Sequence, residues 1–164
     1  MLTNVLNNYD NIKCIPIGAG SGVSSGRWML SLVNDVWHKF WGVYNFTLFN
    51  GLVSILFVVL SACIIVHIFD VKDFLNCVLI GGMLISFPSI TSMLFFTYTA
   101  PYYSLAIFLS VVAVLFWKKW KFGFVISACC IACSMGIYQA YLPLTITLFV
   151  LLLLVQCIEK SGIL

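Results

Sequence analysis

Long apolar runs separated by short polar gaps fill most of this 164-residue chain. The first stretch, 1–28, is the exception. It is largely polar, and Gly18, Gly20, Gly22 and Gly26 with Ser21, Ser24 and Ser25 give its second half turn chemistry. From Trp28 the pattern becomes periodic. Met29, Leu32, Val33, Val36, Trp37, Phe40 and Trp41 recur at helical spacing, with Asn34, Asp35, His38 and Lys39 between them. This predicts an amphipathic helix over 28–41. Its three tryptophans suit the headgroup level of a bilayer, and no soluble core is expected for it to pack on.

The next runs are long enough to cross a membrane. We expect spans at about 46–68, 75–96 and 102–117. Pro88 interrupts the second and should kink it, freeing the carbonyl of Leu84. Residues 122–157 then run without a charge. A single helix of that length would reach about 54 Å, too long for a hydrocarbon core of about 30 Å. Gly136 and Pro143 bracket the polar patch Tyr138, Gln139 and Tyr141. Two shorter spans, 122–137 and 142–157, joined by a tight turn, fit better. The expected fold is therefore all-α: a polytopic membrane protein with about five transmembrane helices, preceded by an outer loop (1–45) that carries the interfacial helix. The transmembrane domain would be 46–164.

Composition agrees with lipid as the solvent. The chain is 63% hydrophobic and 8% charged, where a soluble domain has about a quarter of its residues charged. Mean hydropathy is +1.13. Charge also orients it. Lys72, Lys118, Lys119, Lys121 and Lys160 fall in every second gap, and the gaps between hold Tyr, Thr, Gln and Pro instead. Basic gaps face the cytoplasm, so the aromatic gaps face outward. The net charge of +3 is explained by this orientation rather than by nucleic-acid binding. Residues 1–28 contain no apolar signal-peptide core, so export of an outer segment calls for a span upstream. We expect the chain to be part of a longer membrane protein.

Candidate chemistry gathers on the outer face: Asp10, Arg27 and Trp28, then Tyr98, Tyr102 and Tyr103 at one pair of span ends, and Tyr138, Gln139 and Tyr141 at the other. Aromatic faces stack on sugar rings, a guanidinium holds phosphate bidentately, and a carboxylate can accept a hydroxyl proton. Other features carry less. Cys130 and Cys133 have metal or redox spacing, but no His or acid lies near them in sequence, and small-residue packing explains them better. His38 and His67 have no evident partners. Gly18, Gly20 and Gly22 lack dinucleotide-fingerprint spacing. The pattern calls for no metal and no cofactor.

Several strings occur together in order: Ser25-Gly26-Arg27-Trp28-Met29-Leu30, Tyr44-Asn45, Asn50-Gly51, Phe87-Pro88, Tyr98-Thr99-Ala100-Pro101-Tyr102-Tyr103, and Gly136-Ile137-Tyr138-Gln139-Ala140-Tyr141-Leu142-Pro143. The set resembles the type II glucosyl transferase family of bacterial O-antigen modification, over nearly the whole chain. The resemblance implies a GT-C-like enzyme of the bacterial inner membrane with its active face in the periplasm. Its donor would be a polyprenyl-phosphate-linked sugar, undecaprenyl-phosphate-glucose, and its acceptor the lipid-linked O-antigen oligosaccharide. Asp10 would be the catalytic acid of the first outer loop, although Asn11 stands where the family tends to carry a second acid. Arg27 would bind the donor phosphate, and the aromatic and amide side chains would bind sugar or lipid. Two other functions use the same features: a non-catalytic translocator or accessory subunit for lipid-linked sugars, or an inactive truncated remnant.

Overall fold

A computed structural model describes residues 25–41 and 46–161. Asp10 and the Gly/Ser-rich stretch before Ser25 lie outside the described residues. The described chain is all helical. Helix α1 is Trp28–Trp41, α2 Thr47–Ile68, α3 Phe74–Ser86, α4 Pro88–Phe95, α5 Ala100–Lys119, α6 Gly123–Ile137 and α7 Leu142–Lys160, with a 3-10 turn at Gln139–Tyr141 before α7.

Helix α5 is the centre of the bundle. It packs along both α2 and α6 and also meets α7. Small and hydroxylic residues allow this close approach. Ser104, Ala106, Ser110 and Ala113 of α5 are fully buried, as are Ser54 and Ser61 of α2. Such residues let helix backbones come together in lipid, where apolar burial alone gives no preference for protein over acyl chains. Their hydroxyls are satisfied at short range. Ser54 donates to the Asn50 carbonyl at 2.6 Å and Ser61 to that of Phe57 at 2.7 Å. Between helices, Ser110 and Ser134 Oγ lie 2.8 Å apart, and Ser134 donates to the Ala106 carbonyl at 2.8 Å. The exposed large side chains include Leu52, Leu56, Phe74, Met83, Phe122 and Leu153, distributed over the outward faces of the helices. That is the surface of a membrane protein.

Three helices are long and apolar enough to cross a bilayer: Thr47–Ile68, Ala100–Lys119 and Gln139–Lys160. A bent pair, Phe74–Ser86 with Pro88–Phe95, makes a fourth if taken as one span. Helix α6 has 15 residues, about 22 Å of helix against a core of about 30 Å. The described residues thus contain three or four spans by length, where the pattern led us to expect about five.

The expected kink at Pro88 is a full break. Helix α3 ends at Ser86, α4 begins at Pro88, and the two are bent by 49°. Phe87 between them is extended, at φ −63° and ψ 129°, because the proline ring disfavours the helical region for the residue before it. The Leu84 carbonyl accepts the Phe87 N–H at 3.4 Å, so it is re-satisfied within the break.

The two ends of the bundle differ in chemistry. At one end Lys118 of α5 donates to the Ile68 carbonyl at 2.5 Å and to Asp70 at 2.8 Å. Asp70 has φ +52°, a left-handed residue closing α2. Lys118 holds its carboxyl below the usual carboxylate range, by hydrogen bond first and by charge second. At the other end lie α1, the start of α5 and the end of α6.

Helix α1 corrects the expectation that it has no core to pack on. Leu30 is 1% exposed and belongs to the main core cluster with Val58, Met93, Tyr102, Ile107 and Ile137. Trp37 turns inward, edge-on to Tyr102 at 6.2 Å and against Phe49 at 5.9 Å. The outward apolar positions are Leu32, Val36 and Phe40, four residues apart and all at least 50% exposed, while Trp28, at the start of the same row, is half-exposed and lays its ring against Gly136. The helix therefore has two apolar faces, one on the bundle and one turned away from it.

Candidate functional site

The strap formed by α1 crosses the end of α6 at Gly136. A Cβ there would meet Trp28 Cε2 at 2.7 Å and Met29 Cβ at 2.8 Å, so glycine is what lets the two helices touch. Just before the strap, Gly26 has φ +76°, a left-handed turn that glycine adopts without steric penalty. A Cβ on Gly26 would stand 3.3 Å from Gln139 Nε2. These two contacts set the start of α1 against the α6–α7 turn and fix the position of Arg27.

Arg27 lies with its guanidinium carbon 4.9 Å from the centre of the Tyr138 ring. Its Nη1 is 3.5 Å from the Tyr103 hydroxyl, at the outer limit of a hydrogen bond. The Tyr103 and Tyr138 rings lie against each other, tilted by 31° with centroids 4.7 Å apart, and Tyr138 meets Tyr141 edge-on at 5.5 Å. Tyr141 in turn donates to Met93 Sδ at 3.6 Å. Among the described residues the guanidinium has aromatic partners and no carboxylate. A cation resting on an aromatic face retains most of its five N–H donors for an anion.

The sequence-predicted residues separate into two groups. Arg27, Tyr103, Tyr138 and Tyr141 form one cluster, with Gln139 and Trp28 at its border. Tyr98 and Tyr102 do not join it. They hold the strap instead. Tyr102 donates to Asn34 Oδ1 at 3.1 Å, both residues being buried, and Tyr98 is joined to His38 Nε2 at 2.6 Å. His38, read from sequence as partnerless, thus has a close partner, and Asn34 was missed. The matching spacing, two polar residues four apart on α1 and two tyrosines four apart around the start of α5, has meaning only once the fold brings the two segments together.

Beside the aromatic cluster is a cavity of about 660 Å³, within the range of small-molecule sites. Tyr103, Tyr138 and Tyr141 form part of its wall. The remainder is mostly apolar and comes from both arms of the α3–α4 bend, from Ile107 of α5 and from Leu144 of α7. Among the described residues no three His, Cys, Asp or Glu side chains gather where a metal ion could bind.

The chain matches the family model described as glucosyl transferase GtrII over residues 1–162. Neither the curated proteins nor the solved structures give a match.

Proposed function

Since the chain belongs to the glucosyl transferase GtrII family, we propose that it transfers glucose from undecaprenyl-phosphate-glucose to lipid-linked O-antigen, as a GT-C-like enzyme at the periplasmic face of the bacterial inner membrane. The observation that carries this reading is Arg27. Its guanidinium lies on a tyrosine that also walls an apolar cavity. An anionic head and an apolar tail would find their complements side by side there.

In the proposed reaction Asp10 accepts the proton of an acceptor hydroxyl. The hydroxyl oxygen forms a bond to the anomeric carbon as the bond from that carbon to the phosphate oxygen breaks. The lipid phosphate leaves with the bonding electron pair, and Arg27 stabilises the charge that develops on it. In this reading Tyr103, Tyr138 and Tyr141 bind the sugars through ring faces and edges, and the Gln139 amide bonds a sugar hydroxyl. Tyr98 and Tyr102 contribute by holding the strap, as does Trp28 at Gly136, rather than by touching sugar.

Membranes containing the full chain, supplied with undecaprenyl-phosphate-glucose and lipid-linked O-antigen, should form the glucosylated repeat. Asp10→Asn should stop transfer without lowering protein level. Transfer that proceeds from a nucleotide sugar alone, in membranes lacking the lipid-linked donor, would refute the proposed donor. Full activity in Asp10→Asn would remove that residue from the mechanism.

A further inference from the structure

Helix α1 touches three helices of the bundle, each within a turn of its end. Trp28 and Met29 meet Gly136, the next-to-last residue of α6. Trp37 meets Tyr102, the third residue of α5, and Phe49, the third residue of α2. A helix with these contacts lies across the bundle rather than along it, as a crossbar at the aromatic end. It stands where the bundle is shortest. Helix α6 has 15 residues, about 22 Å, which falls about 8 Å short of a hydrocarbon core of about 30 Å. A helix laid across its end adds about 10 Å and makes up the difference.

At about 100° per residue the side chains of α1 fall into four sectors. Leu30, Asn34 and Trp37 face the bundle, the first two buried. Asp35 and Lys39, on the opposite side, are exposed. The two flanks between them are unlike. One carries His38, joined to Tyr98 at 2.6 Å. The other carries Leu32, Val36 and Phe40, of which Phe40 is 75% exposed. A crossbar bathed in water would have no use for that apolar flank. An apolar flank set between a bundle-facing side and a charged side is the order expected of a helix at the rim of the bundle, sunk sideways into acyl chains.

We propose that the Leu32, Val36 and Phe40 flank is immersed in the acyl chains of the leaflet at the aromatic end, so that α1 completes the apolar height of the bundle over the short α6. This is deeper than the headgroup level that the tryptophans alone suggest. The occupant is lipid rather than another helix, because the flank offers only large side chains. Helices that pair in lipid present small residues, which let the backbones approach, as α5 does to α2 and α6. Asp35 and Lys39 then stand on the water side. Without the flank, the apolar height on this side of the bundle falls to that of α6, and the preferred bilayer becomes thinner.

The test uses the full chain in nanodiscs of phosphatidylcholine, part of it carrying an aryl diazirine midway along one acyl chain. After illumination, residue-level mass spectrometry should find roughly fivefold more label on Leu32, Val36 and Phe40 than on Asp35 and Lys39. Label spread evenly around α1, or absent from that flank because water or protein covers it, would overturn the proposal. A second measurement follows melting temperature in phosphatidylcholines of fourteen to twenty-two carbons per chain. The triple variant Leu32→Ser, Val36→Ser, Phe40→Ser should fold, because none of the three is buried. Its melting maximum should move to shorter chains than that of the wild type. A maximum left at the same chain length would overturn the proposal. No sugar donor or acceptor enters either measurement, so the outcome is independent of the glucosyl-transfer reading.

Discussion

Gly136→Ala should be far more damaging than one added methyl suggests. The new Cβ would lie 2.7 Å from Trp28 Cε2 and 2.8 Å from Met29 Cβ. Carbon atoms rest at about 3.5–4.0 Å, so α1 must withdraw from α6 by about 1 Å. The Met29 Cβ cannot swing away, because it is fixed to the strap backbone. Arg27 is the residue before Trp28 and moves with it. Its contact to the Tyr103 hydroxyl is already at 3.5 Å and would be lost. Its position over Tyr138 would reach the edge of the range of about 6 Å in which such contacts act. Overpacking of this kind costs about 1–3 kcal/mol, and a displacement of about 1 Å at a reacting group can cost about a hundredfold in rate. The expected result is transfer reduced roughly 10- to 100-fold, with the protein still inserted and folded, measured as glucosylation rate per mole of protein beside its thermal melting. Adding Trp28→Leu should recover part of the rate but not all, since Met29 Cβ remains in the way. Activity within about twofold of wild type in Gly136→Ala would refute the claim that the strap positions Arg27.

Three further outcomes follow from the same geometry. Tyr102→Phe leaves buried Asn34 Oδ1 without its donor and should lower stability by about 1–3 kcal/mol, while the double variant with Asn34→Leu should lose less, as denaturation in detergent would show; an equal or larger loss in the double variant would count against the bond. With each as the sole tryptophan, Trp28 should be quenched by brominated lipid more strongly than Trp37, because Trp28 is half-exposed beside Gly136 while Trp37 packs between Phe49 and Tyr102; the reverse would place α1 wrongly. Asp70 titrates below its ordinary 3.8 because of Lys118, so its contribution to stability is present above about pH 4 and fades as pH falls through the lower folded value. Lys118→Met should flatten that small acid-side slope in melting temperature, and an unchanged slope would assign it to other carboxylates.

The helices were largely legible because each is a long apolar run with a clear stop. Asp73 caps α3, accepting the Asn76 N–H at 3.3 Å, Lys118 and Lys119 close α5, and Pro143 opens α7 just after the polar turn. The break at Phe87 was visible as Pro88, but its severity was not, because whether a span kinks or divides depends on what packs against it. The two faces of α1 were not separable from spacing. Apolar residues cover most of its circumference, and only the small residues of α5 and α6 decide which of them go inward. The pairs Tyr98–His38 and Tyr102–Asn34 join residues 60 and 68 positions apart, a distance that periodicity does not read. The aromatic patches were found as composition. Their division into a cluster around Arg27 and a set that holds the strap came from the fold.

The most direct test of the central claim is the mass of the host's O-antigen repeat unit, measured in cells carrying the gene with its natural flanks, or the Arg27→Ala or Asp10→Asn variant at equal protein level. A hexose gained per repeat with the wild type and lost or strongly reduced in both variants is the predicted result. A repeat of unchanged mass with the wild type, or a hexose retained at full level in both variants, would contradict it.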